Sequence, residues 1–184
     1  MHSRDIASAF EFLRAALERE KIPFALIGAL ALRHHGYDRF TEDIDILTTP
    51  EGLEVIHEKV VGLGLAPRAK GLRKKLRQTQ FKVNIDVVTS GEHAGSPQSP
   101  TVYPHPESDA FVERGGVRVA TLEKLIEFKL ASGIWGNRLQ DFGDVQQLIR
   151  ANNLGEPLAA RLPEALRPKY LEILGQARLE RDIE

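Results

Sequence analysis

Ile27-Gly-Ala-Leu-Ala-Leu-Arg-His-His-Gly-Tyr-Asp-Arg-Phe-Thr-Glu-Asp-Ile-Asp-Ile46 is the stretch on which the reading of this chain turns. It follows a short apolar run, Phe24 to Ile27, that ends at Gly28, and Ala29 to His35 is rich enough in Ala and Leu to restart as a helix closed by Gly36. The order is strand, glycine turn, helix. Asp43-Ile-Asp-Ile-Leu47 then alternates polar and apolar residues, the period of a strand buried on one face.

The flanks extend this pattern. Upstream, Ile6, Ala9, Phe10, Leu13, Ala16 and Leu17 recur at three- and four-residue spacing over Asp5 to Arg19, which predicts an amphipathic helix stopped by Pro23. Downstream, Pro50 is placed to open a helix running to the Gly62–Gly64 region. A basic stretch follows, and its end, from Phe81, leads into a strand over Val83 to Val88. Thr89 to Asp109 holds four prolines and two glycines and reads as a long irregular loop, of a length that is usually functional or mobile. Phe111 to Val119 turns at Gly115-Gly116 as a hairpin. Thr121 caps a helix with Leu122, Leu125, Ile126 and Leu130 on it, and the remainder reads as helices broken near Gly155-Glu-Pro157 and Arg167-Pro168. Strands come early and helices late, so the fold class is α/β (α+β): a mixed β-sheet flanked by helices, with a helical C-terminal portion. The expected division is a core over 1–120 and helices packed on it over 121–184.

Composition sets limits on function. The 25 Lys and Arg against 26 Asp and Glu leave a formal net charge of -1 over 184 residues, which excludes a global polyanion binder. Cysteine is absent, excluding disulfides, thiolate metal sites and cysteine nucleophiles. The longest largely apolar run, Phe24 to Leu32, is far shorter than the roughly 18–20 residues of a membrane span, and the N-terminus mixes both charge signs. The expectation is a cytoplasmic protein with no membrane partner.

Alternation places Asp43 and Asp45 on one face of their strand and Ile44 and Ile46 on the other. Two carboxylates that close repel, and each resists ionisation in a half-buried site unless a cation neutralises them. An oxygen-only donor set favours Mg²⁺ or Mn²⁺. Asp86 joins them if its strand is a neighbour. The turn at Gly28 exposes backbone N–H groups at a helix start, suited to a phosphate. A metal-binding carboxylate pair beside a phosphate cradle is what phosphoryl or nucleotidyl transfer needs.

Blander readings compete. The two aspartates could be a solvated strand end, His34 and His35 are adjacent on a helix and cannot face one ligand together, and Arg68 to Lys82, seven bases with no acid, could be a solvated face or a phosphate-attracting rim. An EF-hand with Glu54 as its twelfth residue fails, because Leu47 and Thr48 stand where an oxygen ligand and the turn glycine are needed.

With Gly28-Ala29, Asp43/Asp45 and Asp86 in this order, the chain resembles the nucleotidyltransferase-fold superfamily. Arg39-Phe-Thr-Glu-Asp-Ile-Asp45, and the later Leu125-Ile-Glu-Phe-Lys129 with Arg138-Leu-Gln-Asp-Phe-Gly-Asp144, are similar to the small bacterial branch of AbiEii-type toxins and minimal nucleotidyltransferases. The resemblance spans roughly Pro23 to Ile149. It implies that Asp43 and Asp45 hold two metal ions, that Asp86 holds one and helps deprotonate an acceptor hydroxyl, and that Gly28 and Ala29 hold the β- and γ-phosphates. It also implies that Arg39 and Lys129 contact the nucleotide or its phosphates. The substrate is then an NTP, the cofactor Mg²⁺ or Mn²⁺, the acceptor an RNA, a protein or a small molecule, and a toxin–antitoxin partner is implied by analogy. Ala29 departs from the family's Gly or Ser: its N–H survives, but the serine hydroxyl contact to phosphate does not. That departure motivates the alternative of a catalytically weak nucleotide- or partner-binding module.

Overall fold

In the computed structural model, residues 3–181 are described. They form a mixed sheet of seven strands in the order β3-β4-β5-β2-β1-β7-β6. The strands are β1 (Phe24–Leu26), β2 (Asp43–Thr48), β3 (Leu65–Pro67), β4 (Lys75–Gln78), β5 (Asn84–Thr89), β6 (Phe111–Arg114) and β7 (Val117–Ala120). The helices are α1 (Ser3–Arg19), α2 (Gly28–Arg33), α3 (Pro50–Val55), α4 (Leu122–Trp135), α5 (Leu139–Ala151), α6 (Pro157–Arg161) and α7 (Arg167–Arg181).

The central pairing is β2 with β5, parallel and in register, which sets Asp43 beside Asn84 and Asp45 beside Asp86. Ile44, Ile46, Ile85 and Val87 alternate with these polar residues and are buried with Leu13 and Leu17 of α1 and Leu53 of α3 in one hydrophobic core. One face of the two strands is thus fixed by the hydrophobic effect, and the polar face is fixed with it. On the other side β1 pairs antiparallel with β2, and Ile27 donates its N–H to the Asp45 carbonyl. That bond carries the Gly28 turn onto the polar face.

Two helix starts follow the expected chemistry. Thr49 accepts a hydrogen bond from the Gly52 N–H ahead of Pro50, and Thr121 accepts one from the Lys124 N–H. Three elements differ from expectation. The helix opened by Pro50 is α-helical only to Val55 and finishes as a wider π-turn over Ile56–Val60. The basic stretch holds a strand that its sequence does not announce, since Lys75–Gln78 forms β4 between β3 and β5. Only Leu76 and Gln78 of its four side chains are buried, which left too little apolar alternation to betray a strand. Near the C-terminus, Arg167-Pro168 opens α7 rather than breaking a helix, with proline in the first turn. Among the described residues no helix is long and apolar enough to cross a membrane.

Candidate active site

Gly28 begins α2 with φ +65°, a left-handed conformation in which residues with a Cβ are strained. A Cβ there would fall within the Asp45 carboxylate. Glycine is therefore required twice over, by its backbone angle and by the aspartate packed against it. Ala29 is buried behind it, and α2 has only six residues, so any phosphate it meets is bound by backbone N–H groups rather than by a long helix dipole.

Asp45 keeps a little surface toward a cleft, but protein surrounds its carboxyl on nearly every side, and that enclosure governs its ionisation. Burial first, and then the Asp86 carboxylate, push its pKa up to about 6, against the pull of Lys129 and Arg138. No side chain among the described residues donates a hydrogen bond to it. A buried acid beside a second acid, with no donor of its own, is a group that a hard cation would satisfy, and carboxylate oxygens are the donor type that Mg²⁺ and Mn²⁺ prefer.

The three carboxylates share one face but do not converge. Asp43 Oδ1 accepts a hydrogen bond from Asn84 Nδ2 at 3.0 Å. Asp86 is engaged on both oxygens, Oδ1 by Arg68 Nη1 at 3.2 Å and Oδ2 by Lys75 Nζ. Among the described residues no three His, Asp or Glu side chains are gathered closely enough to hold a metal ion. The sequence brings Asp86 to the other two only if its strand is a neighbour, which it is, and does not reveal the two cations that pair with it.

Lys129 and Arg39 line the same cleft as Gly28 and Asp45. Both are committed to carboxylates. Lys129 Nζ, on α4, donates to Asp141 Oδ1 at 2.6 Å and to Asp144 Oδ2 at 2.7 Å, both on α5, and Arg39 Nε donates to Asp144 Oδ1 at 2.8 Å. Arg138 lies 3.6 Å from Asp141 Oδ2. The side chains of Lys129, Asp141 and Asp144 are 8%, 4% and 2% exposed, so the charges satisfy one another out of water. Tyr103, from the long loop, also lines the cleft, and its ring lies 4.8 Å from that of Phe128. Burial, with the carboxylates of Asp141 and Asp45 nearby, pushes its pKa up to about 12, so it remains a neutral hydroxyl. Nothing local in Val102-Tyr-Pro104 announces this. His35 stands apart from the site, buried with Nε2 2.7 Å from the Ala120 carbonyl, a packing role.

The family model for the nucleotidyl transferase AbiEii toxin, of type IV toxin–antitoxin systems, matches residues 11–182. Several solved structures share the fold at low identity. The solution structure of the antibiotic-resistance factor ANT(2'')-Ia is 13% identical with a TM-score of 0.62 over the whole of both chains. An antigenic nucleotidyltransferase-like protein from Paracoccidioides brasiliensis is 15% identical, TM-score 0.63, over 96% of this chain and 90% of that one. The lincosamide antibiotic adenylyltransferase LnuA, with lincomycin bound, is 14% identical, TM-score 0.54, over 77% and 94%. No curated protein sequence matches the chain.

Proposed function

The chain belongs to the AbiEii nucleotidyl transferase toxin family, and from that membership we propose a nucleotidyltransferase that uses Mg²⁺ or Mn²⁺ to move an NMP group from an NTP to an acceptor hydroxyl. The observation that carries this reading is Asp45: enclosed, without a hydrogen-bond donor, packed under the Gly28 turn and beside Asp86 in register. In the reaction the acceptor oxygen forms a bond to the α-phosphorus, the bond from that phosphorus to the bridging oxygen breaks, and pyrophosphate leaves.

The chain's own residues divide the work. The N–H groups of Gly28 and Ala29 donate to the β- and γ-phosphate oxygens. Asp86, beside Asp45 on the neighbouring strand, takes the proton of the attacking hydroxyl. Arg39 and Lys129 present positive charge to the phosphates, held in place by Asp141 and Asp144. Asp43, Asp45 and Asp86 would hold the divalent cation, which when bound neutralises phosphate charge and lowers the pKa of the hydroxyl.

The acceptor is an RNA, a protein or a small molecule. The family's toxin description supports a cytoplasmic toxin–antitoxin role with a cognate partner, whereas ANT(2'')-Ia and LnuA act on antibiotics and support a small-molecule acceptor. The experiment is incubation of the full chain with each α-labelled NTP, Mg²⁺ and, separately, RNA, protein and small-molecule acceptor pools, beside Asp45→Asn. Label transfer that the substitution abolishes supports the enzyme. Transfer indifferent to it, or absent with every nucleotide and acceptor, sinks this reading. A second reading, a nucleotide-binding module with weak catalysis, is favoured by Ala29 and by the commitment of Lys129 and Arg39 to carboxylates; nucleotide binding by calorimetry without label transfer would select it.

A further inference from the structure

The hydrogen-bond registers of four neighbouring strands line up a row of charge across the polar face. Asp45 of β2 faces Asp86 of β5, and Asp86 faces Lys75 of β4. Beyond β4, the Arg68 N–H donates to the Lys75 carbonyl, which carries Arg68 into the same row at the end of β3. Facing residues of adjacent strands project to the same side. The row therefore reads acid, acid, base, base.

Its two bases are not spectators. Arg68 and Lys75 each take one oxygen of Asp86, so that both oxygens of the carboxylate are engaged. Arg68 and Lys75 are 38% and 46% exposed, free to swing into solvent, while Asp86 is 20% exposed and fixed in its strand. A divalent cation shared by Asp45 and Asp86 would stand within a few ångströms of the ammonium and guanidinium on the same carboxylate, where like charges repel strongly. The two arrangements therefore oppose one another.

We propose that Lys75 and Arg68 are built-in placeholders for the divalent cation, holding Asp86 until metal exchanges for them, and thereby positioning residues that set how tightly the metal is bound. This rests on the reading that Asp45 and Asp86 share that cation. The placeholders keep Asp86 paired in the unloaded protein and lower the affinity for metal without touching a metal ligand's identity. Arg73 and Lys74, which precede Lys75, pair instead with Glu54 and Glu92, so the exchange belongs to Lys75 and Arg68 and not to the basic stretch as a whole.

The test is Mn²⁺ binding to the full chain without nucleotide, followed by the loss of the free-ion electron paramagnetic resonance signal and by calorimetry. Exposed ion pairs are individually modest, so Lys75→Met should tighten Mn²⁺ binding roughly fivefold, and Arg68→Gln roughly twofold. The two together should tighten it further. Lys75→Arg, which restores the pair, should bind as the wild type does, and Asp86→Asn should bind more weakly. Thermal midpoints without metal report folding, and a shift in affinity at an unchanged midpoint cannot come from a merely structural role. Unchanged or weaker binding by Lys75→Met overturns the placeholder inference while leaving the metal site intact. Mn²⁺ binding by no variant, or binding that Asp45→Asn does not alter, overturns the metal reading and the inference with it.

Discussion

Asp45 sets a debt between function and stability at a single position. Its folded pKa of about 6 lies above the value of 3.8 for a free aspartate. Between those two pH values the native protein keeps a proton that the unfolded chain has lost, so stability falls as pH rises through this window and stays lower above it. The shift corresponds to at most about 3 kcal/mol. Asp45→Asn should therefore flatten the decline of the thermal midpoint between roughly pH 4 and pH 6, and should leave the variant more stable than the wild type near neutrality. Midpoints of both proteins across pH 4 to 8 in chelator check this. A wild type that gains stability over that window relative to the variant would refute the enclosed, donor-free carboxyl described above.

At the scale of elements, α4 and α5 are joined to the loop before β2 by Lys129, Asp141, Asp144 and Arg39. Gly133 of α4 packs where a Cβ would meet the Phe142 ring of α5, so the two helices approach closely enough for the Lys129 ammonium to reach both aspartates. Asp144→Asn leaves Lys129 and Arg39 short of a buried negative charge and should destabilise the protein by about 3 kcal/mol or more in urea unfolding. Adding Lys129→Met should recover part of the loss, since a missing cation then matches the missing anion. Sequence revealed one half of this arrangement and not the other. Asp43-Ile-Asp-Ile46 announced its strand because apolar and acidic residues alternate without interruption. The resemblance pointed to Lys129 and the Arg138–Asp144 segment, but a lysine's choice between two aspartates and a ligand depends on helix packing that no local spacing contains. β4 was hidden because its exposed positions, Lys75 and Arg77, look like any solvated basic loop, and Tyr103 reaches the cleft only through the path of the loop from Thr89.

For the whole molecule, the near-zero net charge is an average over opposed regions. Glu42 to Glu58 carries six acids and no Lys or Arg, and Arg68 to Lys82 carries seven bases and no acid. Folding pairs the basic run with acids, one of them from the acidic run and two from beyond it: Arg73 pairs with Glu54, Lys74 with Glu92, and Arg68 and Lys75 with Asp86. Among the described residues, Lys70, Arg77 and Lys82 are the bases of that stretch without a carboxylate partner. A nucleic-acid acceptor should therefore show a shallow salt dependence, with a slope of log K against log salt near about −2 to −3 rather than the roughly −5 to −6 that seven free cations would give. Filter binding across 50 to 200 mM salt measures it. A slope at the steeper limit would mean that the internal pairs open on binding.

The same connectivity bears on the order in which a growing chain becomes competent. Asp45 meets Asp86 only after the intervening strands exist, and Arg39 finds its anchor at Asp144, 105 residues further along. Contacts so distant along the chain form late, because the intervening loop must close before they are rewarded. A nascent chain that has emerged only as far as β5 thus displays the aspartates and the glycine turn without the helices that fix Arg39 and Lys129. Fragments that stop short of Asp144 would carry the motif without the contacts that fix Arg39 and Lys129.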